Sequence, residues 1–307
     1  MSASHKPRFA LAAVSLTVAG VAASVLAASA SPASSAVARP ALAAYSRPAA
    51  PAGLSALTPD HHRANFKKGV GAWPFPKARS ALAKSGVSWY YTWAVNHPGI
   101  VTARGVSFVP MIWGARNVTA RQLKQAKQHG HILLTFNEPD LGAQANMTVN
   151  KALRLWPKLM ATKMRLGSPA VAFGGATPGL WLDRFMKGAA SRHYRVDFIT
   201  LHWYGGDFTT SDAVSQLQSY IQSVWNRYHK PIWLTEFALW RFNPSVFPTP
   251  SGQAAFVTAA TAMLRRLPYV WRYAWFALPA DGGDGTAGLF RPGAIATAAG
   301  RAFERVP

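Results

Sequence analysis

The stretch HILLTFNEPD, residues 131–140, joins an apolar run to an abrupt polar ending. The apolar part is typical of a buried β-strand. Pro139 lacks a backbone N–H donor and therefore helps to end that strand. Connecting loops meet at the C-terminal ends of parallel strands, and functional sites form there. We therefore expect Glu138 to stand at such a site.

Seven other β-rich runs accompany this stretch, and helical patterns lie between several of them. In chain order the candidate strands are KGVGAW, VSWYYTW, VSFVPMIW, HILLTFNE, AVAFGG, VDFITLHW, PIWLTEF and RYAWFAL. The helical patterns are TARQLKQAKQHG, TVNKALRLWPKLMATKMRLG, TTSDAVSQLQSYIQSVWNRY, SGQAAFVTAATAMLRRL and GAIATAAGRAFERV. Eight strands in roughly 245 residues predict an α/β protein with a single (β/α)8 TIM-type barrel. An open doubly wound sheet is the alternative, because the first two connections lack clear helical patterns.

A second carboxylate occupies the matching place in the seventh candidate strand. The run PIWLTEF, residues 231–237, carries Glu236 near its end, while the remaining glutamate, Glu304, lies in the last helical pattern. Glycoside hydrolysis needs two carboxyl groups, one to protonate the departing oxygen and one to attack or stabilise the anomeric carbon. The alternative for either glutamate alone is a helix cap or a loop ion pair. Together, Glu138 and Glu236 indicate a catalytic pair.

Aromatic and polar side chains cluster at the ends of the same candidate strands. Aromatic faces stack on the C–H faces of sugars, and polar groups bind sugar hydroxyls. For any single tryptophan the alternative is packing between sheet and helices. Tyr91 and Trp93 share one side of their strand, whereas Tyr90 faces the other side. The predicted substrate-binding residues are Asn137, Tyr91, Trp93, Trp113, His202, Trp203, Tyr204 and Trp275.

The first 60 residues differ in composition from the rest of the chain. Residues 1–30 combine an early basic segment, an apolar run and the triplet Ala28, Ser29 and Ala30, which is typical of a cleaved signal peptide. A transmembrane anchor is the alternative. Residues 31–60 are rich in Ala, Ser and Pro and predict a disordered linker. The catalytic domain is expected over residues 61–307, in a secreted or cell-wall-associated protein.

Charge and cysteine content restrict the classes of partner. The chain has no cysteine and a formal net charge of +22, which would suit an anionic cell wall. The basic residues form no long run and no nucleic-acid motif, so nucleic acid is not expected as a partner. The aspartate spacing in DGGDGT, residues 281–286, would allow a calcium loop. The full ligand pattern is absent, however, so the segment is interpreted as a glycine-rich connection after the last strand. We expect a monomer without metal or cofactor.

Several motifs of the chain resemble those of glycoside hydrolase family 128, a clan-A family of secreted β-1,3-glucanases. The motifs are FNEPDLGAQANMT, SPAVA followed by WLDRF, VDFITLHWY and IWLTEF, and the resemblance covers roughly residues 66–303. It implies that Glu138 is the acid/base, Glu236 the nucleophile and Asn137 the partner of the hydroxyl next to the anomeric carbon. It also implies that His202 and Tyr204 support the site. Thr135 stands where glycine would be expected from the family.

The resulting expectation is a retaining, endo-acting β-1,3-glucanase that works by double displacement. Its two carboxyl groups should have different pKa values, with that of Glu138 raised and Glu236 kept ionised by hydrogen bonds, for example from Tyr204. Another β-glycanase, acting on mannan or mixed-linkage glucan, is one alternative. A non-catalytic barrel that binds glucan or wall polymer is the other.

Overall fold

The computed structural model describes residues 66–307 of the chain. The predicted signal peptide, the linker and the first five residues of the predicted domain lie outside this part. The strands are β1 (Lys68–Gly71), β2 (Trp89–Tyr91), β3 (Ser107–Phe108), β4 (Met111–Ile112), β5 (Ile132–Asn137), β6 (Arg165–Ala170), β7 (Ile199–Gly205), β8 (Ile232–Leu239), β9 (Arg241–Phe242), β10 (Ser245–Val246), β11 (Val270–Trp275), β12 (Phe290–Arg291) and β13 (Ile295–Ala296). The helices are α1 (Ala78–Lys84), α2 (Ala120–Lys127), α3 (Val149–Met160), α4 (Trp181–Ala190), α5 (Thr210–Tyr228), α6 (Pro250–Arg266) and α7 (Ala298–Arg305).

Parallel pairing dominates the sheets. One sheet has the order β3-β2-β1-β11-β8-β7, and a second has the order β4-β5-β6. All neighbours within these two sheets run parallel. Isolated parallel bridges, Gly167 to Phe198 and Val171 to Leu201, connect β6 to β7. The predicted α/β class with parallel strands is confirmed.

The fifth predicted strand was misplaced. The observed strand β6 starts at Arg165, whereas the predicted run AVAFGG begins only at its last residue. The predicted long helix ran through this segment, but α3 ends at Met160. Strand β6 contains Gly167 and Pro169, which are unfavourable in most strands. Gly167 is required here because a Cβ atom would lie 2.7 Å from the Phe198 ring.

Threonine side chains begin four of the helices. In each case the hydroxyl accepts a hydrogen bond from a backbone N–H three residues later, which satisfies a donor left free at the helix start. These caps are Thr119 for α2, Thr148 for α3, Thr249 for α6 and Thr297 for α7. Thr119 and Thr148 are also the first residues of the helical patterns TARQLKQAKQHG and TVNKALRLWPKLMATKMRLG, so both helices begin where the patterns begin. No helix within residues 66–307 is long and apolar enough to cross a membrane.

Buried side chains form two clusters because successive residues of a strand face opposite sides. The larger cluster includes the helices and the strand faces that pack against them. The smaller cluster lies among the strands themselves and contains Trp89, Tyr91, Val109, Met111, Leu134, Phe198, Trp233 and Ala274. Rigid strands packed on both faces therefore hold the residues at their C-terminal ends.

Candidate active site

The structure brings the two predicted carboxylates together. Glu138 directly follows β5, and Glu236 lies within β8. Their exposed fractions are only 8% and 5%. One carboxylate oxygen of each, together with a ring nitrogen of His202, lies within 4.8 Å of the others. The pair thus forms a compact, largely buried site at the C-terminal ends of parallel strands.

The imidazole of His202 lies between the two carboxylates. Its Nδ1 atom is 2.9 Å from Oε1 of Glu138, and its Nε2 atom is 3.3 Å from Oε1 of Glu236. The second contact lacks hydrogen-bond geometry. Burial acts to lower the pKa of His202, but the charge of Glu236 and the hydrogen bond to Glu138 outweigh it, so the pKa is raised. The two carboxylates therefore favour the protonated form of His202.

Glu236 accepts three side-chain hydrogen bonds. The indole Nε1–H of Trp93 donates to Oε1 at 2.7 Å. The hydroxyl of Tyr91 shares its single proton between the same oxygen, at 3.1 Å, and the carbonyl oxygen of Thr235, at 3.0 Å. The hydroxyl of Tyr204 donates to Oε2 at 2.5 Å. These three donors come from β2, its C-terminal extension and β7, so they fix the orientation of the Glu236 carboxylate from two sides.

Burial raises the pKa of Glu236, and the negative charge of Glu138 adds to this effect. His202 and the hydrogen bonds from Tyr204 and Trp93 lower it without reversing the net shift. The expected hydrogen bonds to Glu236, including the one from Tyr204, are present and lower its pKa, but they do not set the direction of the net shift. Removal of a carboxylate from water outweighs them.

The backbone at two site residues adopts a left-handed conformation. Glu138 has φ of 41° and Trp93 has φ of 57°. Residues other than glycine rarely adopt such angles, and they cluster at functional sites where the surrounding structure holds them. This conformation ends β5 and directs the Glu138 side chain to His202.

Asp140 connects the loop after β5 to the loop after β6. Its carboxylate accepts hydrogen bonds from the backbone N–H groups of Ala172 and Phe173, at 3.0 and 3.2 Å. The backbone N–H of Glu138 also donates to the carbonyl oxygen of Ala170 at 2.7 Å. The left-handed turn at Glu138 is therefore held from the neighbouring strand.

Asn137 has one free hydrogen-bonding group. Its Nδ2 donates to Oε1 of Gln144 at 3.2 Å, while its Oδ1 is buried without a donor among residues 66–307. Buried polar atoms usually have a partner, so an unpaired acceptor beside Glu138 suits a ligand hydroxyl. Trp113 lies on the neighbouring strand end, where its carbonyl accepts from the Asn137 N–H at 2.8 Å. The Trp113 side chain is half-buried against the smaller cluster.

Aromatic rings that the sequence analysis missed lie around the carboxylates. The ring of Trp93 contacts those of Trp73 and Phe276, with centroids 5.9 and 5.7 Å away. The ring of Tyr204 contacts those of Phe276, Phe242 and Trp240. Trp73, Trp240 and Phe276 follow β1, β8 and β11 closely. The rule that site residues stand at strand ends would have found these three.

Two predicted substrate-binding residues do not reach the site. Trp203 stacks on Phe256 of α6, with ring centroids 5.8 Å apart. Trp275 is fully buried, and its indole donates to the carbonyl oxygen of Ala287 at 2.7 Å. Alternation explains the first case, because the neighbours of Trp203 on β7 face the carboxylates. The assignments of Trp203 and Trp275 are therefore corrected to core packing.

Glu138, His202 and Glu236 are the one group of three possible metal ligands within residues 66–307. The donors from Tyr91, Trp93 and Tyr204 already point at Glu236, and they occupy lone pairs that a cation would need. The set therefore fits a hydrogen-bonded carboxylate pair better than a metal centre.

The acidic residues of the DGGDGT segment contact nitrogen donors. Asp281 accepts from the indole of Trp73 at 2.8 Å, and Asp284 lies 3.4 Å from Nε of Arg291. These contacts support the interpretation of the segment as a connection, and they anchor it beside the aromatic rings of the site.

Comparison with known proteins connects this geometry to a family. Residues 70–303 match the family described as glycosyl hydrolase catalytic core. An endo-β-1,3-glucanase of family GH128, subgroup I, from Amycolatopsis mediterranei, solved with laminaritriose, is 54% identical with a TM-score of 0.76, covering 79% of this chain and 100% of that one. A subgroup II endo-β-1,3-glucanase from Sorangium cellulosum is 30% identical with a TM-score of 0.67, covering 78% and 98%.

A curated relative extends the comparison to a fungus. Alkali-sensitive linkage protein 1 of Schizosaccharomyces pombe is 33% identical over 214 residues, which is 66% of this chain. The chain spans only 37% of the length of that protein. The family model covers most of the described residues, and this chain belongs to the glycosyl hydrolase catalytic core family and, within it, to glycoside hydrolase family 128.

Proposed function

We propose that this protein cleaves β-1,3-glucan within the chain and retains the configuration at the anomeric carbon. The observation that carries the proposal is the pair of buried glutamates whose oxygens approach within 4.8 Å. The Amycolatopsis mediterranei and Sorangium cellulosum relatives are endo-β-1,3-glucanases. Variants of the former, with one or another glutamate replaced, were solved with laminari-oligosaccharides. Both facts favour the same substrate here.

The distance between the carboxylates favours retention. Retaining enzymes keep the two groups about 5–5.5 Å apart, whereas inverting enzymes need about 6.5–9.5 Å to admit water. An oxygen of Glu138 and an oxygen of Glu236 lie no more than 4.8 Å apart, which is less than the separation that inverting enzymes need. A direct attack by a carboxylate therefore fits this site better than attack by a water held between them.

The reaction runs in two displacements. First, an oxygen of Glu236 bonds to the anomeric carbon while the glycosidic bond breaks and protonated Glu138 gives its proton to the leaving oxygen. Then Glu138 takes a proton from water, the water oxygen bonds to the anomeric carbon, and Glu236 leaves. Glu236 suits the nucleophilic role because three donors hold it in one orientation.

Neighbouring residues bind and orient the substrate. The free Oδ1 of Asn137 accepts a hydrogen bond from the hydroxyl next to the anomeric carbon. His202 and Tyr204 orient Glu138 and Glu236, and Trp93 and Trp113 contact sugar faces. Tyr91 was predicted to bind substrate, but its side chain is fully buried, so it orients Glu236 instead.

The scaffold for this chemistry is a closed (β/α)8 barrel. Only two residues separate β3 from β4, so the pair acts as one strand that joins β2 to β5. The bridges from β6 to β7 join the two sheets on the other side. Strand β1 pairs with both β2 and β11, which favours closure over an open doubly wound sheet.

Secretion and wall association complete the proposal. Residues 1–30 direct export, residues 31–60 form a linker, and the excess of basic residues retains the protein on an anionic wall. The enzyme acts as a monomer and needs no cofactor or nucleic acid. Fractionation of producing cells, with and without high salt, tests this part.

The decisive experiment is product analysis with purified protein on linear β-1,3-glucan. We expect short oligosaccharides of several lengths early in the reaction, first released as the β-anomer. Parallel assays on β-1,4-mannan and mixed-linkage glucan test the other β-glycanase activities. Binding of glucan without any release of reducing sugar would instead support the non-catalytic alternative, and release of the α-anomer would exclude retention.

A further inference from the structure

Two arginines lie at the opposite ends of the strands from the carboxylates. Arg165 is the first residue of β6, and Arg272 lies in the N-terminal half of β11. Neither makes an ion pair with a carboxylate of residues 66–307. Asp197, whose carboxylate accepts from the N–H next to Arg165, is instead paired with Arg195. The two arginines therefore lack a counter-charge in the described part of the chain.

Tryptophan rings hold the two guanidinium groups. The Arg272 group lies 4.5 Å from the centroid of the Trp233 ring and 5.5 Å from that of Trp89. The Arg165 group lies 5.2 Å from the centroid of the Trp271 ring. Stacking uses the flat faces of a guanidinium, while its N–H edges stay available to donate.

The positive charge on Arg272 is electrostatically unfavourable in its surroundings. Burial lowers the pKa of Arg272 to about 10, and the positive charge of Arg165 contributes to the shift. The positive charges of Arg165 and Arg272 therefore repel each other where little water screens them. Such groups normally acquire a partner of opposite charge.

Two donors among these side chains have no acceptor, and Trp271, which contacts Arg165, packs against the cluster that contains Trp233. Nε of Arg165 and the indole Nε1 of Trp233 are buried and unpaired among residues 66–307. The Trp233 side chain is only 3% exposed, so water does not readily serve it. Every free polar group here is a donor, which selects for an anion.

We propose that a small oxyanion of the phosphate type binds between Arg165 and Arg272, with the indole of Trp233 as a third donor. The planar guanidinium groups match the oxygen pairs of such an anion. Because the site lies at the N-terminal ends of the strands, it is separate from glucan cleavage and does not depend on the function proposed above.

Thermal unfolding of the full-length protein tests the site. We compare sodium phosphate with sodium chloride at equal ionic strength. We expect the melting temperature to rise saturably, by about 4 °C at about 25 mM phosphate if the dissociation constant is about 1 mM. The Arg165→Gln variant should lose most of this rise. Arg121→Gln, at an exposed position of α2, is the matched control and should keep it.

General effects of phosphate on stability act on all variants alike, so the comparison among variants isolates the site. Arg165→Lys is the second variant, for the case in which glutamine prevents folding; it keeps the charge but loses the fork and should lose at least half of the rise. The proposal is rejected if phosphate and chloride act equally on the wild type, or if Arg165→Gln responds like wild type. It is also rejected if a poly(glycerol phosphate) stabilises and inorganic phosphate does not.

Discussion

The hydroxyl of Tyr204 lies 2.5 Å from Oε2 of the buried Glu236. Burial raises the pKa of Tyr204 well above 10, and the charge of Glu236 raises it further, so the phenol keeps its proton and remains a donor. The bond stabilises the ionised form of Glu236. It opposes the burial that raises the pKa of that carboxyl group.

Replacing Tyr204 by phenylalanine should move the acid limb of kcat/KM to higher pH. The substitution removes a bond that lowers the pKa of Glu236, so the carboxyl group stays protonated over a wider acid range. Activity should fall most below the optimum and recover as pH rises. Tyr269→Phe, which removes a hydroxyl bonded to Gln222 on α5, serves as the control. An acid limb that does not move would contradict the role of this bond.

Replacing Glu236 by alanine should reduce turnover of β-1,3-glucan by at least about 10³-fold, because the covalent intermediate cannot form. Sodium azide should restore part of the turnover and yield the α-glycosyl azide, since the small anion attacks from the vacated side. Product NMR identifies the anomer. Normal activity in this variant would remove Glu236 from the mechanism.

Replacing Glu138 by alanine should reduce cleavage of natural glucan by about 10²–10⁴-fold, because the leaving oxygen then departs without a proton. An aryl glucoside with an acidic phenol as leaving group needs little protonation by Glu138. The first step on this substrate should therefore slow less than the first step on glucan. Burst kinetics separate that step from release of the sugar. Equal losses in the first step for both substrates would argue against the acid role.

Replacing Asp140 by alanine should weaken the connection between the loops after β5 and β6. Two backbone N–H groups lose their acceptor, at a cost of about 1–2 kcal/mol in the free energy of unfolding. We expect kcat to fall more than KM rises, since Glu138 loses its support. Asp212→Ala, at the exposed start of α5, is the control for loss of an acidic side chain. Unchanged stability and kcat would show that the loops after β5 and β6 keep their conformation without the Asp140 hydrogen bonds.

Replacing Gly167 by alanine should destabilise the protein, because the new Cβ would lie 2.7 Å from the Phe198 ring and from the Thr200 methyl group. Overpacking of this kind costs about 1–3 kcal/mol. Gly142→Ala meets open space and is the matched control. Denaturant unfolding measures both. Equal stability of the two variants would mean that β6 shifts freely.

Local patterns indicated several of the residues that the structure places around the two carboxylates. An apolar run that ends in a carboxylate marked both Glu138 and Glu236, and alternation along a strand put Tyr91 and Trp93 on one side. The same alternation, applied to β7, would have removed Trp203, since His202 and Tyr204 face the carboxylates.

Other features depend on contacts that local patterns do not encode. The bond from Tyr91 to Glu236 spans 145 residues, and that from Asp140 to Ala172 spans 32. Strand β6 was not predicted because it contains Gly167, which is unusual in a strand. That glycine is needed because the ring of Phe198, just before β7, leaves no room for a side chain. The raised pKa of Glu236 likewise follows from how completely the fold encloses it.

At Glu138 the left-handed backbone conformation places thermal stability and catalytic activity in conflict. Asparagine tolerates such angles better than glutamate does. Directed evolution that rewards heat tolerance alone would therefore tend to discard this glutamate, whereas joint selection for glucan turnover would have to preserve it and find its improvements elsewhere.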